Sequence, residues 1–372
     1  MKNVNKKENK HDFLSLELLV PNMDKVDCNR GYMFSGHFSQ CSNLKNPEKP
    51  LVYTNFENQF GSYSDLGFND LDENTEVLAK IVKNENVYFL FIHKLNSDTY
   101  DIIERRNEFW LTEKYGFTYN NDVIDSIAPG DVLDKGTRLY KSYNYDECDN
   151  FQYGTNIKVA FFTEKLKTLE DAIVISKEAA EKFTSYNVEK VTIVLNNNDL
   201  LLNLNEDPDD EYKCFPNINE DIENFLCVRR RINLKKIYSF DDLSLNSLNP
   251  NDEKFYSHGK ITDIDIYSNM DEEDLELGVY NKQIRKILKK RKTFNKEFIK
   301  ATEDYIKNES SKCSSQLIQT YNRIKMELDK VPFSYESSVF SGMVIEFTIL
   351  KENKLSIGSK LSGRYGCRKI AV

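Results

Sequence analysis

A chain of 372 residues is long enough for two or three domains with a large apolar core. The net charge of −9 at pH 7 excludes a general nucleic-acid coat protein, although it is compatible with local basic patches. No apolar run reaches the length of a membrane-spanning helix, and the seven cysteines are scattered without a metal-ligand spacing. We therefore expect a cytoplasmic protein with free thiols and no membrane partner.

The first third of the sequence predicts short strands and loops. Leu14–Leu19 and Met33–Phe38 are apolar patches, and the polar stretch Asn22–Gly31 between them predicts a loop. Two strand-like runs lie within Ala79–His93, on either side of a turn-like NEN sequence. Ala128–Val132 has the composition of a turn, and it opens another β-rich region.

The next region predicts three strands and one short helix. Strand-like runs occupy Ile157–Phe162, Asp171–Ser176 and Val188–Leu195. Ser176 carries the hydroxyl that an N-cap requires, so we expect it to cap a helix over Lys177–Phe183. Short strands that return from distant parts of the sequence are typical of a closed barrel with insertions.

Two blocks of opposite charge follow. Asp199–Glu223 contains nine carboxylates and one Lys, which predicts a solvated loop or insertion. Lys282–Lys300 contains nine Lys or Arg and one Glu, and apolar residues recur at helical spacing after it. Asp271–Asp329 therefore predicts a pair of helices, the first of which exposes a basic side that is either a solvated face or a nucleic-acid contact. A last strand, Met343–Leu350, leads into the terminal segment.

The terminal segment Ile357–Val372 combines glycines with basic side chains and contains no acidic residue. Its basic residues are Lys360, Arg364, Arg368 and Lys369, and its glycines occupy positions 358, 363 and 366. Glycines let a backbone turn sharply or approach a ligand closely, and Lys and Arg bind phosphates. The spacing is not that of a P-loop, so the composition leaves both a phosphate contact and a basic surface turn open.

Four segments, in the same order, resemble the β subunit of bacterial-type multisubunit RNA polymerases. The terminal IGSKLSGRYGCRK resembles the GDKMAGRHGNKG segment of that family, and the other matches are Asp24–Glu57, Gly130–Thr137 and Tyr153–Ser176. The resemblance implies a mixed α+β fold, rich in β-structure, with part of a double-psi β-barrel, a flap-like insertion and a basic helical pair.

The resemblance also implies domain boundaries. The expected units are an N-terminal segment with an active-site loop (1–60), a β-rich domain (61–150), the first half of the barrel (151–195), a flap-like insertion with the acidic loop (196–270), connecting helices (271–335) and a second barrel segment with the basic loop (336–372).

Residues that match the first motif are expected to face the incoming nucleotide and the RNA end. Asp27, Asn29 and Arg30 match the DANR motif of the family, in which the Arg reaches the triphosphate. The alternative for Arg30 is a salt bridge to Asp27. Gln40 matches a polar residue near the RNA 3′ end, whereas the Arg beside it in the family is Ser39 here, which puts that contact in doubt.

Residues of the two barrel segments complete the expected site. Glu170 and Asp171 match a Glu-Asp pair that lies near the second, nucleotide-borne Mg²⁺, and the alternative is an ordinary surface pair. Lys360 and Arg368 match two lysines that hold the RNA end and the α-phosphate region. The remaining candidates for nucleotide or RNA contact are Lys158, which replaces an Arg of the family, Arg364, and Lys369, which replaces a Gly.

The resemblance implies attack of the RNA 3′-hydroxyl on a nucleoside triphosphate with the help of Mg²⁺. The family holds its first Mg²⁺ with aspartates of the β′ subunit, and no such motif occurs in this sequence, so we expect the chain to be inactive alone. The implied partners are other β-subunit fragments, β′-like subunits, DNA template, RNA transcript and nucleoside triphosphates. The flap-like region leaves room for a promoter-specificity factor.

Family segments before Asp24 and after Val372 are absent from the sequence, which predicts one piece of a split β subunit, as in giant bacteriophages, acting in the host cytoplasm. An experimental truncation or a plastid-type genome would give the same appearance. Two other functions stay open: a non-catalytic barrel or scaffold that binds nucleic acid through Lys282–Lys300, and a single-chain polymerase, which would need a metal-binding aspartate motif.

Overall fold

The structure is a computed structural model that describes residues 16–60, 66–161, 172–196, 199–204, 212–231, 242, 244–268, 282–329, 334–335, 338–339 and 342–371. These parts form a mixed, strand-rich fold with few helices. The helices in the described ranges are α1 (Cys28–Ser39), α2 (Asp122–Ser126), α3 (Lys177–Lys182), α4 (Lys282–Asn308) and α5 (Ser315–Leu328).

Most of the described strands are short and belong to small sheets. The strands of the first half of the chain are β1 (Asn43–Leu44), β2 (Phe68–Asp70), β3 (Thr75–Val82), β4 (Tyr88–Lys94), β5 (Thr99–Arg105), β6 (Glu108–Trp110), β7 (Gly116–Asn120), β8 (Val132–Leu133), β9 (Arg138–Ser142) and β10 (Ala172–Ile173). Those of the second half are β11 (Ser185–Leu195), β12 (Asp199–Leu201), β13 (Asp221–Ile222), β14 (Cys227–Arg231), β15 (Glu253–Phe255), β16 (Gly259–Ser268), β17 (Ser334–Tyr335), β18 (Ser338–Val339), β19 (Met343–Asn353), β20 (Lys360–Ser362) and β21 (Arg368–Ala371).

The largest described sheet has five strands in the order β1-β11-β19-β16-β13. β19 lies in its centre and pairs antiparallel with both β11 and β16. Ile193, Ile345 and Ile266 lie opposite one another across these three strands and are almost fully buried. Branched side chains at alternating positions suit a pleated surface with one buried face, so they hold the register of this sheet.

Two four-stranded sheets, ordered β5-β4-β3-β8 and β2-β9-β7-β6, lie in sequence between β1 and β11 of the large sheet. The helices α4 and α5 pack on the first of them. Phe298 of α4 is fully buried and meets Phe89 of β4 edge to face, and Leu317 and Tyr321 of α5 join the same cluster. The apolar residues recur at helical spacing because they form the face that each helix buries.

A partly buried network of charges fixes α4 against the large sheet. Lys83, which directly follows β3, donates to Asp263 at 2.9 Å and contacts Asp265 at the same distance. Arg291 of α4 also donates to Asp265, and it forms a forked contact with Glu327 of α5. Two acidic side chains of β16 are thus satisfied by two cations from outside the large sheet.

Several sequence-based predictions are confirmed. The two runs within Ala79–His93 form β3 and β4, and Met343–Leu350 falls within β19. Ser176 caps α3, because its Oγ accepts a hydrogen bond from the Ala179 amide at 3.2 Å. The helical pair is present as α4 and α5, although residues 269–281 lie outside the described ranges.

Three local predictions are wrong in part. Asn22–Gly31 is not a continuous loop, because α1 begins at Cys28. Residues 157–161 form no strand, and the rest of that run lies outside the described residues. The acidic block contains the strands β12 and β13 at its ends, while residues 205–211 lie outside the described part. Within the described ranges, no helix combines the length and apolarity needed to cross a membrane.

Candidate nucleotide and nucleic-acid site

The helix α1 presents the first group of predicted site residues to solvent. The Asp27 carbonyl accepts hydrogen bonds from the amides of Arg30 at 2.9 Å and Gly31 at 3.1 Å, which starts the helix. Phe34 and Phe38, one turn apart, are buried on its inner face. Arg30 lies one turn before Phe34 on the same side of α1, but its side chain is exposed, and it makes no ion pair with Asp27 in the described structure.

An aromatic cluster holds the inner face of α1. Phe38 packs against the rings of Phe60, Tyr115, Phe151 and Tyr153, with centroid distances between 5.6 and 6.5 Å. Large aromatic side chains bury much apolar area and prefer such tilted or edge-to-face contacts. The position of α1 is thus set by packing.

The terminal basic segment forms a hairpin, which we call the terminal ribbon (β20, β21 and the turn between them). Lys360 pairs with Ile370, and Ser362 pairs with Arg368. Lys360 is exposed. The backbone of Arg368 is described, whereas its side chain is not.

Gly366 brings the terminal ribbon into direct contact with α1. It has a φ of +71°, a conformation that favours glycine. A Cβ at this position would lie 2.5 Å from the Arg30 carbonyl oxygen and 3.1 Å from the Met33 Cβ. Further along, His37 Nδ1 lies 3.1 Å from Ser362 Oγ. The Arg30 helix and the ribbon are thus in contact although they are far apart in sequence.

The third predicted segment also adjoins the ribbon. β10 pairs parallel with β21, so that Ala172 lies opposite Ile370 and Ile173 opposite Ala371. Glu170 and Asp171, which precede Ala172, lie outside the described residues. The pairing brings the chain that directly follows the predicted carboxylate pair to the edge of the ribbon.

Arg364 is used inside the protein. Its Nε and Nη2 donate to the Leu19 carbonyl at 3.1 and 2.5 Å, and its Nη1 donates to the Val52 carbonyl at 2.5 Å. Nη2 also reaches Glu57 Oε1 at 3.3 Å, and the guanidinium lies over the Tyr153 ring. The prediction that Arg364 contacts nucleotide or RNA stays untested, but these contacts favour a role in holding three segments together.

Glu57 explains why the Arg364 side chain is held there. Glu57 has an exposed fraction of 0%, and both of its carboxylate oxygens accept the Thr54 amide at 3.0 Å. A fully buried carboxylate needs a cation or several donors to be tolerated. Arg364 is the cation beside Glu57, and the Thr54 amide is a hydrogen-bond donor to it.

An open cavity of about 480 Å³ lies beside Arg30 and the turn of the ribbon. It is lined by Pro21, Asn22, Lys25, Val26, Arg30, Tyr365 and Cys367. Its volume falls within the range of small-molecule sites. Lys25 was not predicted as a site residue. The sequence held one indication of it, because Lys25 is a basic residue in the same matched segment as Arg30. In the structure, the Lys25 ammonium lies 3.2 Å from the Asp24 carboxylate on the surface.

The remaining predicted residues lie at varied positions. Asn29 and Gln40 are exposed at the two ends of α1. Lys158 is exposed in a segment without regular structure. Lys369 pairs with Leu361 across the ribbon.

The segment that carries Lys158 is anchored by Glu48. Glu48 Oε1 accepts from Lys182 at 2.7 Å, and its Oε2 accepts the Asn156 amide at 2.8 Å. These contacts, the Lys182 one foremost, lower the pKa of Glu48 to about 2. The side chain is therefore ionised at neutral pH and ties the segment to α3.

The described residues alone do not form a metal centre. In the described ranges, no three His, Cys, Asp or Glu side chains come together in a group that could hold a metal ion. The metal-proximal prediction rests on Glu170 and Asp171, which are outside these ranges. What the described arrangement offers is exposed cationic groups, Arg30 and Lys360, on two elements in contact.

Comparisons with known proteins agree with the resemblance. No protein-family model matches the chain. The β subunit of DNA-directed RNA polymerase of Carsonella ruddii is 29% identical over 189 residues, which is 49% of this chain and 13% of the relative. That of Karelsulcia muelleri is 28% identical over 217 residues, or 55% of the chain and 15% of the relative. That of Kosmotoga olearia is 24% identical over 247 residues, or 63% of the chain and 20% of the relative.

The matched part of the chain thus spans between 13% and 20% of the length of these relatives. Over about half of its own length, the chain is similar to a segment of RNA polymerase β subunits.

Proposed function

We propose that this chain is one piece of a split β subunit of a multisubunit DNA-directed RNA polymerase, and that it acts in template-directed RNA synthesis. The observation that carries the proposal is the contact between α1 and the terminal ribbon at Gly366. This contact brings together two segments that resemble separate active-site motifs of one family. The similarity to β subunits over about half of the chain supports the same conclusion.

In this proposal Arg30 contacts the triphosphate of the incoming nucleotide. Its side chain is exposed beside the open cavity, and it has no acidic partner among the described residues. An Arg suits the role because its fork of charged donors stabilises negative charge that develops on the leaving pyrophosphate. Lys360 and Arg368 hold the RNA end and the α-phosphate region from the ribbon, with Asp27, Asn29, Gln40, Lys158 and Lys369 around them.

The metal and the other chains are part of the same proposal. Mg²⁺ would be held mainly by a β′-like subunit, with Glu170 and Asp171 near the second ion, and the chain alone would be inactive. The strands β10, β20 and β21 would belong to a double-psi β-barrel that other chains complete. A giant-bacteriophage polymerase with further β fragments and a specificity factor is the assembly we infer.

The test is co-purification followed by nucleotide incorporation. Tagged full-length chain is recovered from its native or co-expressed source, and the complex is assayed on a DNA template. We expect β′-like chains to co-purify, and we expect Arg30→Ala or Lys360→Ala to reduce incorporation by about 100-fold, as for the loss of one charge-stabilising donor. Lys135→Ala, which changes an exposed Lys in the turn between β8 and β9, is the matched control and should retain activity.

A second candidate is a non-catalytic protein that binds nucleic acid. The replacements at Ser39, Lys158 and Arg368 favour it, because each departs from a basic residue of the family in identity or charge. A chain that binds DNA, co-purifies with no partner and is insensitive to Arg30→Ala would support this candidate and contradict the polymerase.

A further inference from the structure

The side chain of His37 links the helix α1 to the terminal ribbon. Its Nδ1 lies 3.1 Å from the Oγ of Ser362, and the two residues are 325 positions apart in the sequence. The Ser362 hydroxyl donates to the Gly363 carbonyl at 3.2 Å, so its oxygen is the acceptor for an Nδ1–H of His37. One neutral tautomer of the ring and its protonated form both carry this hydrogen, so the contact does not require a charge on His37.

The terminal ribbon lies along one side of α1. Arg30 and His37 are seven residues apart, which places them on the same side of the helix and about 10 Å apart along its axis. Gly366 of the ribbon approaches the Arg30 carbonyl oxygen, and Ser362 contacts His37. Two separated contacts fix the direction of the ribbon along the helix, which a single contact would not.

The contact with His37 acts on the strand that carries Lys360. β20 lies at the edge of the sheet β10-β21-β20, where it pairs with β21. In the described part of the chain, the bond to His37 is the one side-chain hydrogen bond that joins β20 to an element outside this sheet. Side chains two residues apart on a strand lie on the same face, so Lys360 shares the face of Ser362. The contact therefore bears on the position of Lys360 relative to Arg30.

We propose that His37 is a positioning residue for RNA synthesis, which holds β20 through Ser362 so that Lys360 and Arg30 keep a fixed separation. This inference rests on the proposed function, in which Arg30 contacts the triphosphate and Lys360 holds the RNA end. His37 acts through Ser362 and not on the substrates. Its effect on the rate follows from geometry, because a displacement of about 1 Å between reacting groups can cost about 100-fold.

The first test is nucleotide incorporation by the co-purified complex. His37→Ala should lower kcat by about tenfold and leave the KM for the nucleoside triphosphate unchanged, because Arg30 keeps its place on α1. His37→Asn should restore most of kcat, since its amide N–H takes the place of the Nδ1–H. His37→Gln carries its amide one carbon further out and should not restore it. Asn does not exchange protons at neutral pH, so rescue by Asn identifies positioning and not acid–base catalysis.

His93 provides the matched control for the loss of a histidine contact. It is partly buried, as His37 is, and its Nε2 lies 3.0 Å from Asp98 Oδ1. It belongs to β4, outside the proposed site. His93→Ala should therefore leave both kcat and KM unchanged, although it also removes a hydrogen bond.

The second test measures the contact in the isolated chain, without partners or nucleotides. Urea unfolding at low protein concentration compares His37→Ala, Ser362→Ala and the double variant. The two single effects on the unfolding equilibrium constant, taken together, should exceed the effect of the double variant by about fivefold, as for one lost hydrogen bond. The change in helix propensity of α1 is the same in the single and the double variant, so it cancels.

The outcomes separate the contact from its role. Independent effects of His37→Ala and Ser362→Ala on unfolding would overturn the contact and the inference. An unchanged kcat for His37→Ala in an active complex, or equal kcat for His37→Asn and His37→Ala, would overturn the positioning role and leave the polymerase role standing. A wild-type complex that incorporates no nucleotide would contradict the proposed function itself and this inference with it.

Discussion

At the scale of single residues, the candidate site depends on side chains that hold other groups in place. Arg364 joins the carbonyls of Leu19 and Val52 to the buried Glu57. A basic residue in a glycine-rich segment predicts a phosphate contact, but these contacts are internal. The sequence could not indicate the pair, because Arg364 and Glu57 are 307 residues apart.

Arg364→Ala should lower the free energy of unfolding by about 1–3 kcal/mol, because it leaves the buried Glu57 carboxylate without its cation. Arg364→Lys should recover only part of the loss, since Lys lacks the fork that reaches three acceptors. Urea unfolding measures both. Arg323→Ala, an exposed Arg on α5, is the control, and an equal effect of the two alanine variants would contradict the role assigned to Arg364.

Gly366→Ala should separate α1 from the terminal ribbon, because the new Cβ would lie 2.5 Å from the Arg30 carbonyl oxygen. Gly358→Ala is the matched control: its φ is +89°, but nothing lies within 4 Å of the added Cβ. The control should cost about 1–2 kcal/mol from backbone strain, and Gly366→Ala should cost more. Similar urea midpoints for the two variants would show that the close contact between Gly366 and α1 contributes nothing to stability.

At the scale of elements, the spacing of apolar residues predicted the strands and helices that bury one regular face. β3, β4, β11 and β19 alternate or run apolar, and α4 and α5 repeat apolar residues at helical spacing. The helix α1 was not predicted, because its first residues are polar and include Gly31 and because Met33–Phe38 indicates only an apolar patch; its order comes from packing of Phe34 and Phe38.

The segment 157–161 was missed for a different reason. It has the composition of a strand, yet its neighbour Asn156 is held by the Glu48 carboxylate and by the Lys49 carbonyl. These contacts come from a segment far away in the sequence, so local pattern does not contain them. The same holds for the pairing of β10 with β21, which local composition does not reveal.

The charge network that joins Lys83 to β16, α4 and α5 should make the stability of the fold depend on pH. Burial alone would raise the pKa of Asp265, but attraction by Lys83 and Arg291 outweighs it, so the pKa lies below its usual value. Such a group stabilises the fold above its unfolded pKa of about 3.9, and this contribution is lost as the pH falls through the folded pKa.

Asp265→Asn should therefore be less stable than the wild type at pH 7, and the difference should shrink as the pH falls below about 4. Unfolding free energies measured across this range test the expectation. Asp221→Asn changes an exposed carboxylate on β13 and serves as the control. A difference from wild type that is constant with pH would rule out the ionised network as its cause.

At the scale of the whole molecule, several large apolar side chains are strongly exposed. Phe161 is 97% exposed, and Leu51 and Ile357 are each 84% exposed. Exposed large apolar side chains are typical of surfaces that another chain covers. This agrees with the proposal that partner chains complete the barrel.

We expect the isolated chain to associate with itself as its concentration rises. The double variant Leu51→Gln, Phe161→Gln should reduce this association, because it removes two of the most exposed apolar side chains. Size-exclusion chromatography with light scattering measures the mass. Val82→Gln, at an exposed position on β3, is the control, and a monodisperse wild-type monomer at all concentrations would refute the expectation.

The central position of β19 has a consequence for how the protein is made. β11 and β16 both emerge from the ribosome earlier than β19, yet each pairs with β19 and not with the other. Until β19 has been synthesised, both strands have unpaired edges that can bind other nascent chains. Folding of the large sheet must therefore wait for a late segment, so its rate should be slow and its yield should depend on chaperones during synthesis.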